Sequence, residues 1–417
     1  MKRIKLLAFF IGCVTIAMAQ NTNTPYSMYG YGLIGDRATS MQRQMGGVGY
    51  AMNSGRQINV MNPASYAAID SLTFLFDLGA DLSLIWSEEG KHKERSTGGG
   101  LDYATMQFPI SKYMGGSIGL VPYSSVGYAF GNEIAHGTAQ YQGSGGINEL
   151  YLGFAGTVKG FSLGLNVSYD FGNIVNDVFA SPSEGNSKTE HVMQIRDWNI
   201  LVGAQYTFKP TRNDRVVIGA TFSPKKTLLG KTWVTTQEMT QESLPTYEGE
   251  MKMKGKYYTP NSVGAGVSWS RERTSRFSVE FDYTWQGWKD CKYSPIYSDK
   301  EEGKEVFLGM EFNNRQKFAL GAEFVPKMHG NYGQRITYRI GAYYTEDYLK
   351  VRNNGVREYG VTAGCGFPTP EGKTMINLGV EWKLRRAHPD PLIKENYLNI
   401  TLGVNFNEVW FFKRKIR

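Results

Sequence analysis

"FSVEFDYTWQ", residues 277–286, alternates without a fault. Phe277, Val279, Phe281, Tyr283 and Trp285 are apolar, whereas Ser278, Glu280, Asp282, Thr284 and Gln286 are polar. Successive side chains of a β-strand point to opposite faces, so this segment separates two unlike media. One face takes aromatics as large as Trp, and the other takes carboxylates. Soluble β-sandwiches also alternate, but their strands are about 5–6 residues long. Here the dyad runs for ten residues, the length of a tilted strand crossing a bilayer (about 9–11 residues).

The pattern recurs in "FSLGLNVSYDF" (161–171), "KFALGAEF" (317–324), "RITYRIGAYY" (335–344), "INLGVEWKL" (376–384) and "LNITLGVNF" (398–406). Continued along the chain, it predicts a closed antiparallel transmembrane β-barrel of about fourteen strands. They fall near 73–86, 101–112, 115–128, 148–158, 161–172, 197–208, 215–238, 248–270, 276–289, 315–326, 335–348, 355–367, 374–386 and 395–407. Segments 215–238 and 248–270 are overlong, and either project beyond the bilayer or hide a further hairpin. Short links at 113–114, 159–160, 209–214, 271–275, 327–334 and 368–373 alternate with long ones at 87–100, 129–147, 173–196 and 290–314. The links near 349–354 and 387–394 are shorter than outer loops usually are. An even strand count with both ends in the periplasm allows closure, which removes the unpaired edges that lipid cannot satisfy.

Ahead of the barrel, "MKRIKLLAFFIGCVTIAMAQ" has a basic start, an apolar run too short to span, and a small-x-small site at Ala17–Ala19. It reads as a cleaved secretory signal (residues 1–19) rather than an anchor; lipid attachment at Cys13 is the rival reading. Removing Lys2, Arg3 and Lys5 with the signal leaves +5 of the formal +8, which is not a nucleic-acid signature. Residues 20–72, rich in Gly, Met and Asn and without a dyad, are expected to form a hatch that plugs the lumen. The barrel then occupies 73–407, and 408–417 form a periplasmic tail. The expected location is the outer membrane of a Gram-negative envelope, in contact with lipid and lipopolysaccharide.

"MGGVGYAM…INVMNPASYAAI", from Met45 to Ile69, resembles the N-terminal hatch of the long-chain fatty-acid transporter (FadL) family. There a Gly-Gly segment precedes an Asn-Pro-Ala motif shortly before the first strand, and the motif here is Asn62-Pro63-Ala64. "GINELYLGFAG" (146–156), "FDYTWQGW" and the strand count are also similar to this family. The C-terminal "NFNEVWFFKRKIR" departs from barrels that end in Phe. The resemblance implies a plugged monomeric barrel admitting hydrophobic small molecules through a lateral gap beside a kinked third strand. In this sequence the third strand is "GGSIGLVPYSSVGY" (115–128). Pro122 cannot donate to a ladder there, and Gly115, Gly116 and Gly119 weaken pairing. Gly115, Gly116, Gly119, Pro122 and Tyr123 are therefore the expected gate, against a hatch centred on Asn62, Pro63 and Ala64. Related barrels also serve as non-transporting subunits of secretion or barrel-assembly complexes, which is the alternative.

No nucleophile motif is present, and His92, His136, His191, His329 and His388 fall in expected loops or strand margins without metal spacing. No enzyme activity, metal or cofactor is expected. Cys291 and Cys365 fall at opposite ends of the barrel, so no bridge is expected. By strand parity Glu280, Asp282, Lys317, Glu323, Arg335, Arg339, Glu381, Lys383 and Arg385 point inward. Mixed signs facing one another predict a paired network holding hatch to wall, and argue against a greasy tunnel through the lumen. "KHKER" (91–95) is either a contact for lipopolysaccharide phosphates or a solvated loop tip.

Overall fold

The computed structural model describes residues 24–134, 137–182, 186–239, 245–253, 257–291, 293, 297–299, 304–307, 310–370 and 374–409. The signal-peptide reading, Cys13, His136 and most of the C-terminal tail lie outside the described residues. A 3-10 turn at Pro25–Met28, the short strand β1 (Leu33–Ile34), a helical turn at Ser40–Arg43 and a 3-10 turn at Pro63–Ala68 come first. Strands β2 (Thr73–Glu89), β3 (His92–Ser111), β4 (Met114–Ile134), β5 (Gly137–Val158), β6 (Phe161–Pro182), β7 (Asn186–Phe208) and β8 (Asp214–Ser223) follow. Next come β9 (Lys226–Thr227), the hairpin β10 (Gly230–Met239) and β11 (Pro245–Met253), then β12 (Tyr258–Thr259), β13 (Ser262–Glu272) and β14 (Arg276–Gln286). A small pair, β15 (Tyr297–Asp299) and β16 (Lys304–Phe307), precedes β17 (Arg315–Val325), β18 (Thr337–Val351), β19 (Asn354–Pro368), β20 (Thr374–His388) and β21 (Lys394–Val409).

Fourteen of these, β2–β8, β13, β14 and β17–β21, form a closed antiparallel barrel. The seam joins the first barrel strand to the last, from Thr73↔Val409 to Glu88↔Lys394. The opening segment is β14 and divides the media as its dyad demands: Phe281 is 44% exposed on the lipid face, whereas Glu280 and Asp282 are 3% and 2% exposed in the lumen. Apolar side chains are exposed on the outside of the wall without penalty because lipid, not water, meets them there.

Three features differ from the sequence expectation. The overlong segments resolve into barrel strands β8 and β13 with the β10–β11 hairpin between them. β7 serves two neighbours, pairing β8 along its inner half (Val202↔Phe222) and β10 along its outer half (Gly230↔Ile195 to Met239↔Asn186). The expected loops 87–100, 129–147 and 173–196 are largely strand, since β2–β3 stay paired to Glu89↔His92, β4–β5 to Ile134↔Gly137 and β6–β7 to Ala180↔Ser187. Past Phe171 and Trp198 the lipid dyad stops while the backbone ladder continues into water, so the pattern marks the membrane and not the strand end. His191 accordingly sits inside β7, buried, rather than in a loop. Arg335 is not a strand residue: it ends a 3-10 turn (Tyr332–Arg335) ahead of β18, with its guanidinium 6.0 Å from the Tyr332 ring centre.

Candidate functional site: hatch, wall opening and sealed mouth

The N-terminal segment traverses the lumen from the outer end to the inner. At the top, Thr24 Oγ1 donates to Glu395 at 2.5 Å and the Tyr26 hydroxyl donates to the Ile393 carbonyl at 2.5 Å, both beside the outer end of β21. Lower down, the Gly46 N–H donates to Thr362 (2.9 Å), Gly49 and Tyr50 N–H donate to Asp282 (2.6 and 2.9 Å), and Ala51 N–H donates to Glu280 (2.8 Å). The two carboxylates of the opening dyad are thus acceptors for hatch backbone that has no ladder of its own. Gly219 is required where the hatch abuts the wall, because a Cβ there would overlap the Tyr50 carbonyl.

Asn62, Pro63 and Ala64 open the 3-10 turn Pro63–Ala68. Asn62 Oδ1 accepts from Ala64 N–H at 3.1 Å, and its Nδ2 donates to the Tyr50 and Ala204 carbonyls at 2.7 and 3.3 Å. The motif therefore caps its own turn and ties it to the wall at β7, where a Cβ on Gly203 would overlap Asn62. The far end of the same turn reaches β4, where the Tyr66 carbonyl leaves no room for a Cβ on Gly115. Gly115, Gly116 and Gly119 lie in the paired part of β4, laddered to both β3 and β5.

The wall opens just above them. β3 and β4 pair from Ser111↔Met114 to Ala104↔Leu120; beyond that, among the described residues, β3 pairs with β2 and β4 with β5, but not with each other. Each strand carries a bulge at the divergence: Asp102 is the extra residue between Tyr103↔Gly79 and Leu101↔Ala80, and Tyr123 between Pro122↔Asn148 and Ser124↔Ile147. Bulges bend a strand and increase its twist, which separates the two edges. The hatch fills the base of the gap, where β1 pairs with β4 (Leu33↔Ser125, Ile34↔Ser124) and Gly35 N–H donates to the Tyr123 carbonyl at 2.9 Å. The hatch residues beside Pro122 and Tyr123 are thus 33–35, whereas Asn62–Ala64 sit at β6 and β7.

Behind the opening is a cavity of about 570 Å³ lined by Pro122 and Ser124 but also by Asp36, Arg43, Asp102, Arg315, Lys317, Glu358, Glu381, Lys383 and Arg385. Most of these charges are ion-paired. Asp36 accepts from Arg315 (2.7 Å) and Lys317 (2.6 Å), Arg43 meets Asp102 (2.6 Å), Arg37 meets Glu149 (2.6 Å), and Arg385 Nε donates to Glu358 (2.6 Å). Glu323 joins Arg339 and Arg276 at 2.8 and 2.9 Å, and Arg339 also donates to hatch Gln44 at 2.9 Å. Lys383 lies 4.1 Å from the Tyr397 ring centre and Glu381 accepts from Asn399 at 2.8 Å. Burial alone would raise the Asp36 carboxyl, and Lys317 and Arg315 outweigh it, holding it below the usual carboxylate range.

Above the charged cavity the outer mouth is closed by aromatics. Tyr31 lies 5.5 Å from both Trp288 and Tyr293, Trp288 lies 4.6 Å from Tyr348, and Phe312 lies 5.1 Å from Tyr348, ring centre to ring centre. Tyr123, Val126, Tyr128, Ile147 and Ile174 continue this buried cluster onto β4–β6. The role of these residues escaped sequence reasoning, because Tyr293 and Phe312 fall in the expected loop 290–314 and Trp288 stands at the end of an expected strand, past the last residue of its dyad. Asp36, Arg37, Arg43 and Gln44 were missed as well; only the excess of charge on the inner face hinted that the hatch must answer it.

A family model described as BamG matches residues 1–417. The chain belongs to the BamG family. No curated protein sequence matches it. Among solved structures, this BamG-family barrel is similar to the Pseudomonas putida toluene transporter TodX (17% identity, TM-score 0.61, covering 92% of this chain and 99% of that one). It is also similar to a Pseudomonas aeruginosa FadL homologue (12%, 0.59, 88% and 98%) and to the CymD monoaromatic hydrocarbon channel (14%, 0.57, 89% and 97%). These likenesses establish the FadL-like outer-membrane fold.

Proposed function

We propose that this BamG-family barrel is a non-enzymatic, non-transporting subunit of an outer-membrane barrel-assembly complex, with other envelope proteins as its partners. The observation that carries this reading is the state of the lumen: an aromatic seal closes its outer mouth, and the cavity behind the wall opening is lined by charged side chains, most of them ion-paired. A hydrophobic molecule moving inward would leave lipid for ion pairs whose solvation it cannot replace. The family name, that of the barrel-assembly (Bam) machinery, supports the same reading. Affinity purification in mild detergent is the test. Fixed-ratio recovery of envelope proteins is expected, and depletion should lower the level of other outer-membrane barrels with no uptake defect. Recovery of the barrel alone, together with impaired hydrocarbon uptake on its loss, would overturn the reading.

The gap between β3 and β4 favours a second reading, passive lateral entry of hydrophobic small molecules past the hatch, with Pro122 and Tyr123 at the gate. Under it, Pro122→Val restores a ladder donor and slows uptake while the barrel stays folded. Unchanged uptake in that variant would remove this reading.

A further inference from the structure

Above the membrane, β4 to β7 and the β10–β11 hairpin continue as a projecting sheet, and β4 is one of its edges. The direction of that edge is set by hydrogen bonds. The Gly127 carbonyl accepts from Thr24 N–H at 2.7 Å and the Gly127 N–H donates to Ser27 Oγ at 3.0 Å, so both groups turn away from β5 toward the hatch. The β4–β5 ladder has no register shift beyond Ser124, and a strand repeats every second residue. The N–H and C=O groups of Ala129 and Gly131 therefore face the same side. Among the described residues, no strand pairs with them there.

Proteins usually blunt such an edge with Lys, Pro or a bulge. From Gly127 to Gly131 this one reads Gly-Tyr-Ala-Phe-Gly, with none of these. On one face it offers aromatics, Tyr128 and Phe130 with ring centres 5.6 Å apart and Phe130 stacked on Tyr141 at 5.4 Å. A strand added alongside would set alternate side chains against those rings, which suits aromatic or β-branched residues. The edge already takes a strand lower down, where the chain's own β1 pairs with Ser124 and Ser125.

We propose that the outer edge of β4 at Ala129–Gly131 is a strand-acceptor site, on which an extended segment of a partner envelope protein, with aromatic or β-branched residues at alternate positions, continues the pairing that β1 begins. The proposal rests on the subunit reading for its choice of a second protein as occupant.

A photoreactive phenylalanine analogue placed at Ala129 or at Gly131 of the full-length barrel tests it, with Leu402 on the lipid face as control. Both positions should cross-link to one segment of a co-purified partner, at sites about two residues apart, and Leu402 should not. The amide hydrogens of Ala129 and Gly131 should exchange in the isolated barrel and be protected in the complex. Gly131→Pro, which removes an edge donor without touching the β5 ladder, should lower partner recovery about tenfold while heat-modifiable migration of the barrel persists. Cross-links to a second copy of this chain would overturn the proposal. Partners recovered in fixed ratio with silent probes and an unaffected Gly131→Pro would overturn it while sparing the subunit reading, and recovery of no partner would overturn both.

Discussion

The Tyr348 hydroxyl donates to the Gly32 carbonyl at 2.5 Å and accepts from the Tyr31 N–H at 3.1 Å, so one wall residue satisfies backbone groups of two consecutive hatch residues. The same ring packs against Trp288, tilted by 33°, in the aromatic seal. Tyr348→Phe keeps the ring and removes both bonds, leaving a buried donor and acceptor unpaired at a cost of about 1–3 kcal/mol. The N-terminal segment should become accessible to protease from the outer side, with the barrel intact. Unchanged protection would mean that the ring packing alone holds the seal.

Asp36 is the hatch anion shared by Arg315 and Lys317, both nearly buried. Asp36→Asn strands two cations and should loosen the hatch by about 3 kcal/mol, at the low end because Asp36 itself keeps 31% of its side chain exposed. The carboxyl is held below its usual range, so its contribution is full above the unfolded value near 3.8 and is lost only as pH falls below that. Open-channel noise in planar bilayers should therefore rise in the variant at pH 7, and in the native protein only under strong acid.

Gly219 lies against the Tyr50 carbonyl. Gly219→Val should push the hatch from the wall, costing about 1–3 kcal/mol, and should raise conductance without abolishing heat-modifiable migration. A variant with native conductance would show that the hatch is not held at this point.

Leu402 faces lipid midway along β21. Leu402→Arg should cost about 2–4 kcal/mol, whereas Trp285→Arg, near an interface, should cost about 0–1 kcal/mol. Denaturant titration in micelles or bilayers distinguishes the two, and equal tolerance would contradict the lipid boundary drawn here.

His191, in the projecting half of β7, has no hydrogen-bond partner at either ring nitrogen among the described residues. Burial pushes its pKa down to about 4 from 6.5. The opened state takes up a proton that the folded sheet refuses, so stability is full above pH 6.5 and declines until about pH 4, by up to about 3 kcal/mol. Amide protection factors, which remove the intrinsic pH dependence of exchange, should fall in the outer half of β6 and β7 between pH 7 and pH 5, and His191→Gln should flatten that dependence.

The barrel was legible because lipid imposes a period of two on every wall strand. Ser278 to Asp282 alone assign inside and outside, and repetition supplies the strand count. The dyad ends at Trp198 although β7 runs outward to Asn186, because beyond the bilayer no solvent difference enforces alternation. Inward charges such as Lys317, Glu323 and Arg339 were readable from parity, but their partners were not. Asp36 lies 281 residues from Lys317 and Gln44 lies 295 from Arg339, and no local pattern encodes such a pairing. Asn62 was readable as a motif. Its tie to β7 depends on the Tyr50 and Ala204 carbonyls, which no local pattern links to it.

The hydrogen bond from Thr24 to Glu395 joins residues 371 positions apart, and Glu395 belongs to the strand that closes the seam. Contacts this remote in sequence repay their loop-closure entropy only late, which slows folding. The top of the hatch can dock on β4 through Gly127 beforehand, but Thr24 and Tyr26 lack their partners at Glu395 and Ile393 until the last strand arrives, so its final placement coincides with the closing of the cylinder. Until then β2 and β21 both present bare edges within the bilayer, where each unpaired backbone group costs several kcal/mol. That interval is the most expensive moment in the life of the chain, and a helper that holds a half-built sheet acts on it there.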